Sequence, residues 1–237
     1  RVFFPGKAEV TPDEVLFQPL GNHVGNVRRL VKYWQHDNEE SLKRVLEAAN
    51  IHDMGKPQRF NIRIETDLKN KFKKYIYSFK GHRFLADSSD EWAKSLAIGH
   101  HDFSVGDICR DAYELKKKKP EYKHLLERDP LAYSKELYIL EMCDQIEAEL
   151  ACRILEDKKQ AESRAFMDFT IAPDSDNSNT YFVDPWIFER DSIQLNFEYW
   201  SMQLSEKDKL ELKECQEQNK DRDLGKLLDK MVKDWWE

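Results

Sequence analysis

The sequence predicts a mainly α-helical protein, a helical bundle with a small β element, a hairpin, late in the chain. Apolar residues recur every three or four positions through most of the 237 residues, which is the spacing of helices with one buried face. Hydrophobic residues make up 40% of the chain and charged residues 35%, a balance typical of a globular protein with a charged surface. Two late stretches instead alternate apolar and polar residues, which is typical of strands.

The helices are predicted from their apolar stripes and end signals. The first carries a stripe from Leu20 to Trp34, and Asp37 with Asn38 can cap the next helix. Helices are expected over residues 20–34, 39–54, 90–100, 106–119, 130–155, 206–218 and 224–236. Loops are expected between them, the longest over residues 57–81.

The late β element is predicted over residues 164–171 and 192–199, where apolar and polar residues alternate. Between them lie the turn-forming run PDSDNSNT and the aromatic run YFVDPWIF. We therefore expect a helical core over residues 1–160 and a C-terminal extension over residues 161–237, with a hairpin and two helices packed on that core.

The charge balance limits the partners. A net charge of −7 argues against a protein that coats nucleic acid by itself, because affinity for phosphates depends on many Lys and Arg contacts. A nucleic-acid substrate would therefore have to be delivered by something else. No stretch approaches the roughly 20 apolar residues that a membrane-spanning helix needs, so we expect no membrane partner and a cytoplasmic protein.

Imidazole and carboxylate groups interrupt the apolar helix pattern at several points. His52 and Asp53 end the second predicted helix, just before the helix-terminating Gly55. Asp144 shares a stripe with apolar residues of the helix over 130–155. A carboxylate on an apolar face is costly to bury unless a cation or a set of hydrogen bonds compensates its charge. These residues therefore point to a shared polar site.

Convergence of the unusual polar residues would assemble five imidazoles and two carboxylates, enough for two metal ions with open positions for water and substrate. The expected ligands are His23, His52, Asp53, His82, His100, His101 and Asp144. Imidazole and carboxylate together suit transition metals better than calcium. The expected cofactors are two divalent ions, with Mn, Co, Ni or Fe favoured over Mg.

The order of these motifs resembles that of the HD superfamily of metal-dependent phosphohydrolases. The motifs are His23, HDMGK at 52–56, His82, the doublet His100-His101 and CDQIEAE at 143–149. With five histidines and HDxGK followed by Phe60, they are similar to the HD nuclease of type I CRISPR interference systems, which occurs fused to a helicase or as a separate subunit. The resemblance covers about residues 20–155 and implies the helical bundle of an HD domain.

This resemblance implies a role for each site residue. The ligands that it implies for one ion are His23, His52, Asp53 and Asp144. Those implied for a second ion, to which Asp53 bridges, are His82, His100 and His101. Lys56 would place its ammonium near the scissile phosphate, so Lys56 and Asp53 are the expected catalytic residues.

The resemblance also implies a substrate and partners. The substrate is single-stranded DNA, cut endonucleolytically or digested with 3′ to 5′ polarity. A helicase subunit would feed the strand, and a CRISPR RNA-guided surveillance complex would expose it. We expect a free-standing cytoplasmic subunit of a prokaryote.

Lysines alternate with aromatic residues ahead of His82. The lysines considered for substrate binding are Lys71, Lys73, Lys74 and Lys80. The mixture could guide a single strand by charge and base stacking. It could equally be an amphipathic segment whose aromatic residues are core and whose lysines are solvated.

Three alternatives remain open. A cyclic-dinucleotide phosphodiesterase of the HD type should carry Gly-Tyr-Pro after the histidine doublet, where this chain has HHDFSVGDIC. A nucleotide phosphohydrolase with one metal would not need the second set of histidines. A non-catalytic scaffold would use the metal only to hold the fold together. His36 and His124 are expected at the surface, outside the site.

Overall fold

The computed structural model describes residues 5–10, 14–59, 61–66, 73–101, 123–157, 169–173, 180–185, 193–203, 205–207, 209–210 and 214. The chain forms two compact units. The first unit contains Arg1–Gly21, Lys56–His82 and Glu198–Glu237, and the second contains Asn22–Gly55 and Arg83–Phe197. The boundary predicted near residue 160 falls within 158–168, outside the described residues, and the division at that point stays a prediction.

Helices contain more of the described residues than strands do, which confirms the mainly helical fold class. The helices are α1 (Leu20–Tyr33), α2 (Glu39–Ile51), α3 (Lys56–Arg59), α4 (Glu91–Gly99), α5 (Lys123–Arg128) and α6 (Pro130–Asp157). A 3₁₀ helix spans His82–Leu85. No helix among the described residues is long and apolar enough to cross a membrane.

Four of these helices match their predictions closely. They are α1, α2, α4 and α6, whose ends lie within three residues of the predicted ones. The helices predicted over 106–119 and 224–236 lie outside the described residues. Of the helix predicted over 206–218, the described residues 206–207, 209–210 and 214 are helical.

Side-chain caps explain where two of the helices begin. Asn38, as predicted, caps α2, since its Oδ1 accepts the backbone N–H of Ser41 at 2.9 Å. Asp90 caps α4, since its Oδ1 accepts the backbone N–H groups of Trp92 and Ala93 at 2.9 and 3.1 Å. Each cap satisfies donors that have no partner inside the first turn of the helix.

All strand pairs are antiparallel. The strands are β1 (Pro5–Val10), β2 (Glu14–Pro19), β3 (Asn61–Thr66), β4 (Lys73–Ser78), β5 (Phe169–Pro173), β6 (Thr180–Pro185), β7 (Ile193–Asn196) and β8 (Trp200–Gln203). They form sheets of order β1-β2-β8, β3-β4 and β5-β6-β7. The late antiparallel element is therefore confirmed, and the described residues contribute three strands to it.

Residues 57–81 are not the long loop that we expected. They contain most of α3 and the hairpin of β3 and β4, in which Ile62 pairs with Tyr77 and Ile64 with Tyr75. The lysines among these residues obscured the strand pattern in the sequence.

The second unit packs α2 against α4 and α6, and α4 against α6. A buried polar cluster ties these three helices together. Arg44 of α2 donates to Glu136 of α6 at 2.5 and 3.1 Å, and the indole N–H of Trp92 on α4 donates to the same carboxylate at 2.7 Å. The Arg44 guanidinium also lies 4.7 Å from the centre of the Trp92 ring.

Replacement of Glu136 should destabilise the protein strongly. Glu136→Gln removes the charge that compensates the part-buried Arg44, so we expect the free energy of unfolding to fall by about 3 kcal/mol in urea denaturation. The matched control is Glu40→Gln, because Glu40 pairs with the same guanidinium at 2.8 Å but is exposed. This control should change the free energy by less than about 0.5 kcal/mol. An equal fall in the free energy of unfolding in the two variants would contradict the stabilising role of Glu136.

Candidate metal centre

Three helices of the second unit bring a buried polar cluster together. His23 lies in the first turns of α1, His52 and Asp53 directly follow the last residue of α2, and Asp144 lies in the middle of α6. His52 and Asp53 are almost fully buried, at 0% and 1% exposure. Their position in the turn after α2 explains how adjacent residues can both face one site.

The donor atoms of these four residues lie within 4.8 Å of one another. His23 Nε2 lies 3.0 Å from Asp53 Oδ2, 3.2 Å from Asp144 Oδ1 and 3.4 Å from His52 Nε2. His52 Nε2 lies 3.5 Å from each of the same two carboxylate oxygens. The four side chains therefore aim one nitrogen or oxygen each at a common point.

These separations fit one metal ion. Ligand atoms about 2.1 Å from an ion lie about 3.0 Å apart at right angles and about 3.4 Å apart at the tetrahedral angle. Four of the five measured separations lie between 3.2 and 3.5 Å, and the fifth is 3.0 Å. The cluster of His23, His52, Asp53 and Asp144 is thus geometrically able to hold a metal ion, with two imidazoles and two carboxylates as donors.

Hydrogen bonds on the far side of the rings fix which nitrogen faces this point. The Nδ1 of His52 donates to the Ala49 carbonyl oxygen at 2.8 Å. Because a carbonyl can only accept, Nδ1 carries a proton, so in the neutral ring the lone pair lies on Nε2. The Nδ1 of His23 donates to the buried carboxylate of Glu147. Partners of this kind accompany most metal-binding histidines.

The histidine doublet lies beside this cluster in the second unit. The rings of His52 and His100 have their centres 5.0 Å apart, and those of His100 and His101 are 4.0 Å apart. His100 is buried, and its Nδ1 donates to the Ala97 carbonyl oxygen at 2.5 Å. Burial, together with the neighbouring imidazoles, lowers the pKa of His100 well below its ordinary value. A neutral His100 keeps a lone pair on Nε2.

His82 is the last residue of the first unit, where it follows Gly81, whose φ of 81° is readily adopted only by glycine. The Nδ1 of His82 donates to the Phe79 carbonyl oxygen at 2.7 Å. Lys56, in the same unit, places Nζ 4.9 Å from the centre of the Phe79 ring. Phe79 therefore contacts two of the predicted site residues. The second predicted ligand set is divided between the units, and its joint action stays a prediction.

Charge in the cluster is strongly coupled. Burial alone would lower the pKa of His23, but Glu147, Asp144 and Asp53 outweigh it and raise that pKa well above its ordinary value. Burial would raise the pKa of Asp144, but hydrogen bonds from His23 and His52 hold it well below its usual range. The carboxylates thus favour a proton on His23, and that proton in turn favours the charged form of Asp144.

The other residues considered in the sequence analysis are the lysines of the possible substrate path and the histidines predicted outside the site. Lys73 and Lys74 occupy successive positions of β4, Lys80 is exposed, and Lys71 lies outside the described residues. Their part in substrate binding stays a prediction. Among the predicted non-site histidines, His124 is exposed and lies 3.2 Å from Glu91, while the half-buried His36 lies 2.7 Å from the Val31 carbonyl oxygen.

Two residues that extend the hydrogen bonds of the cluster were missed by the sequence analysis. Glu147 contacts His23 directly, and Asn26 contacts Glu147 at 3.1 Å. A signal was present, because Glu147 follows Asp144 by three residues and Asn26 follows His23 by three. Residues at this spacing share a helix face.

Comparison of the chain with models of known protein families, with curated proteins and with solved structures finds no match.

Metal binding should release a proton from the protein. The neighbouring carboxylates raise the pKa of His23 and so favour its protonated form, whereas a metal ion needs an unprotonated Nε2. We therefore expect up to about one proton to be released for each Co²⁺ bound at this cluster. The apparent affinity should weaken as the pH is lowered. Isothermal titration calorimetry in buffers of different ionisation enthalpy measures the release. An enthalpy independent of the buffer would contradict the protonated state.

Proposed function

We propose that the protein is a metal-dependent nuclease of the HD type that hydrolyses phosphodiester bonds in single-stranded DNA. The observation that carries the proposal is the cluster of His23, His52, Asp53 and Asp144, whose donor atoms converge at separations that fit a shared ion. These residues are spread over more than a hundred positions, and they are the ones that the HD motif order assigns to one ion.

Two ions form part of the proposal. The first would be held by the cluster described above. The second would be held by His82, His100 and His101, with Asp53 reaching both ions. A pair of divalent ions supplies Lewis-acid activation of water and neutralises charge on a phosphate undergoing displacement. Mn, Co, Ni or Fe suits the imidazole-rich set better than Mg does.

The protein residues hold and orient the reacting groups. The Nδ1 hydrogen bonds of His23, His52 and His100 place the Nε2 lone pair of each neutral ring where it can bind a metal ion, and His23 would release its second proton on binding. Lys56 would place a positive charge against a non-bridging phosphate oxygen, where charge develops in the transition state. The Phe79 ring beneath the Lys56 ammonium favours the position of that cation.

Delivery of the strand is assigned to partners. The net charge of −7 is poorly suited to tight, unaided binding of DNA. We therefore propose that a helicase subunit feeds the strand and that a CRISPR RNA-guided surveillance complex exposes it. The exposed Lys80, two residues before His82, is available for a phosphate contact with the entering strand.

The proposal is tested by a nuclease assay with several substrates. We expect Mn²⁺, Co²⁺ or Ni²⁺ to support cleavage of circular and linear single-stranded DNA, and a chelator to abolish it. Duplex DNA, a cyclic dinucleotide and a mononucleotide should be cut much more slowly. Preferential hydrolysis of the cyclic dinucleotide or the mononucleotide would reassign the substrate. Tight metal binding without hydrolysis of any phosphodiester would indicate a scaffold.

Two variants separate metal binding from charge stabilisation. Asp53→Asn should abolish cleavage and lower the metal content, because Asp53 is a proposed ligand of both ions. Lys56→Ala should slow cleavage by about 100-fold with unchanged metal content, because it removes one stabilising charge. Cleavage rates and metal content by elemental analysis provide the measurement.

The matched control is His124→Ala, since this exposed histidine lies outside the cluster. It should retain the full cleavage rate and metal content. Normal cutting by Asp53→Asn would contradict the proposed site, and loss of metal from Lys56→Ala would give that residue a structural role instead.

A further inference from the structure

The hydrogen bonds behind His23 continue from the metal cluster to the late sheet. Glu147 accepts the Nδ1–H of His23 through Oε2 and an N–H of Asn26 Nδ2 through Oε1, the latter at 3.1 Å. The Asn26 Nδ2 also donates to the backbone carbonyl oxygen of Asn196, the last residue of β7, at 2.8 Å. Glu147 and Asn26 are buried, at 0% and 2% exposure.

We propose that Glu147 is a positioning residue for the metal ion at His23, and that Asn26 holds Glu147 in place. The inference rests on the metal centre of the proposed function. A carboxylate behind a ligating imidazole fixes the orientation of the ring, keeps the proton on the far nitrogen and makes the near nitrogen a better donor. Here the near nitrogen is His23 Nε2, which lies 3.0 Å from Asp53 and 3.2 Å from Asp144.

Only a carboxylate can make both contacts of Glu147. One oxygen accepts from an imidazole N–H and the other from an amide N–H, so both partners are donors. Glutamine in this place would offer one acceptor and one donor. If its side-chain oxygen faced His23, its NH₂ group would face the N–H of Asn26, and two donors would meet. In the other orientation it would donate to His23 Nδ1 and move the ring proton to Nε2, where it blocks ligation.

The late sheet holds Asn26 in place, although it lies outside residues 20–155, the range that the motif resemblance covers. The Asn196 carbonyl oxygen accepts from Asn26 and also from the Nδ2 of Asn22, at 2.9 Å. Asn196 lies well beyond residue 155, where the motif resemblance ends. A strand of the late sheet thus contributes to the position of a metal ligand on α1.

The test is a titration with Co²⁺, followed by calorimetry and by visible absorption of the bound ion. Glu147→Gln should weaken Co²⁺ binding by about 10- to 100-fold and change the absorption spectrum. Asn26→Ala should weaken binding less, because the carboxylate remains. The matched control is Asn22→Ala, which removes a different hydrogen bond to the same Asn196 carbonyl. It should leave Co²⁺ affinity unchanged.

A second control separates positioning from stability. Glu136→Gln alters another buried carboxylate of α6, so it should lower stability while Co²⁺ affinity stays unchanged. The midpoint of thermal unfolding of each variant, measured in the presence of a chelator, is compared with that of the wild-type protein. If Glu147→Gln does not fold, the two asparagine variants decide, and equal affinities of Asn26→Ala and Asn22→Ala would overturn the proposal.

The outcomes distinguish this inference from the nuclease proposal. If the folded Glu147→Gln variant binds Co²⁺ as tightly as the wild-type protein, and the wild-type protein cuts DNA, the role of Glu147 is overturned and the nuclease proposal stands. If Glu147→Gln binds Co²⁺ more weakly but the wild-type protein cuts no DNA, the role of Glu147 is supported and the nuclease proposal is contradicted.

Discussion

Three carboxylates surround one imidazole in the buried centre, and this concentration of negative charge is the constraint on which the rest of the second unit depends. Asp53 and Asp144 lie within 3.2 Å of one nitrogen of His23, and Glu147 contacts the other. Buried carboxylates that lack a cation destabilise a fold. Because these groups come from α1, from the turn after α2 and from α6, the positions of these three elements are coupled to a proton or a metal ion at the point where the side chains meet.

The ends of helices provide the means of aiming the ligands. The last carbonyl groups of a helix have no partner within it. His52 and His100, which directly follow α2 and α4, each occupy one such carbonyl three residues back through Nδ1. One hydrogen bond thereby completes a helix end and directs Nε2 away from it. A histidine just after a helix can therefore stabilise the helix end and present a metal ligand at the same time.

Local patterns account for what could be predicted. The periodicity of apolar residues placed α1, α2, α4 and α6, and the polar residues that broke this periodicity included all four members of the cluster. The sheet of β1, β2 and β8 was missed, and its β2–β8 pairing has no local signal because it joins residues almost two hundred positions apart. The role of Glu147 was missed for a different reason. Its three-residue spacing from Asp144 puts it on the same helix face, but its contact with His23 is visible only in the folded structure.

The length of α6 has a consequence for how the chain can change. This single helix of 28 residues carries Glu136, which ties α2 and α4 to it, and then Asp144 and Glu147, which face His23. Each added residue turns a helix by about 100° and lengthens it by about 1.5 Å. An insertion or deletion between Glu136 and Asp144 would set the two groups on incompatible faces. Divergent descendants of this chain should therefore preserve the number of positions in that interval, whose Leu137, Ile139 and Leu140 are also buried in the core.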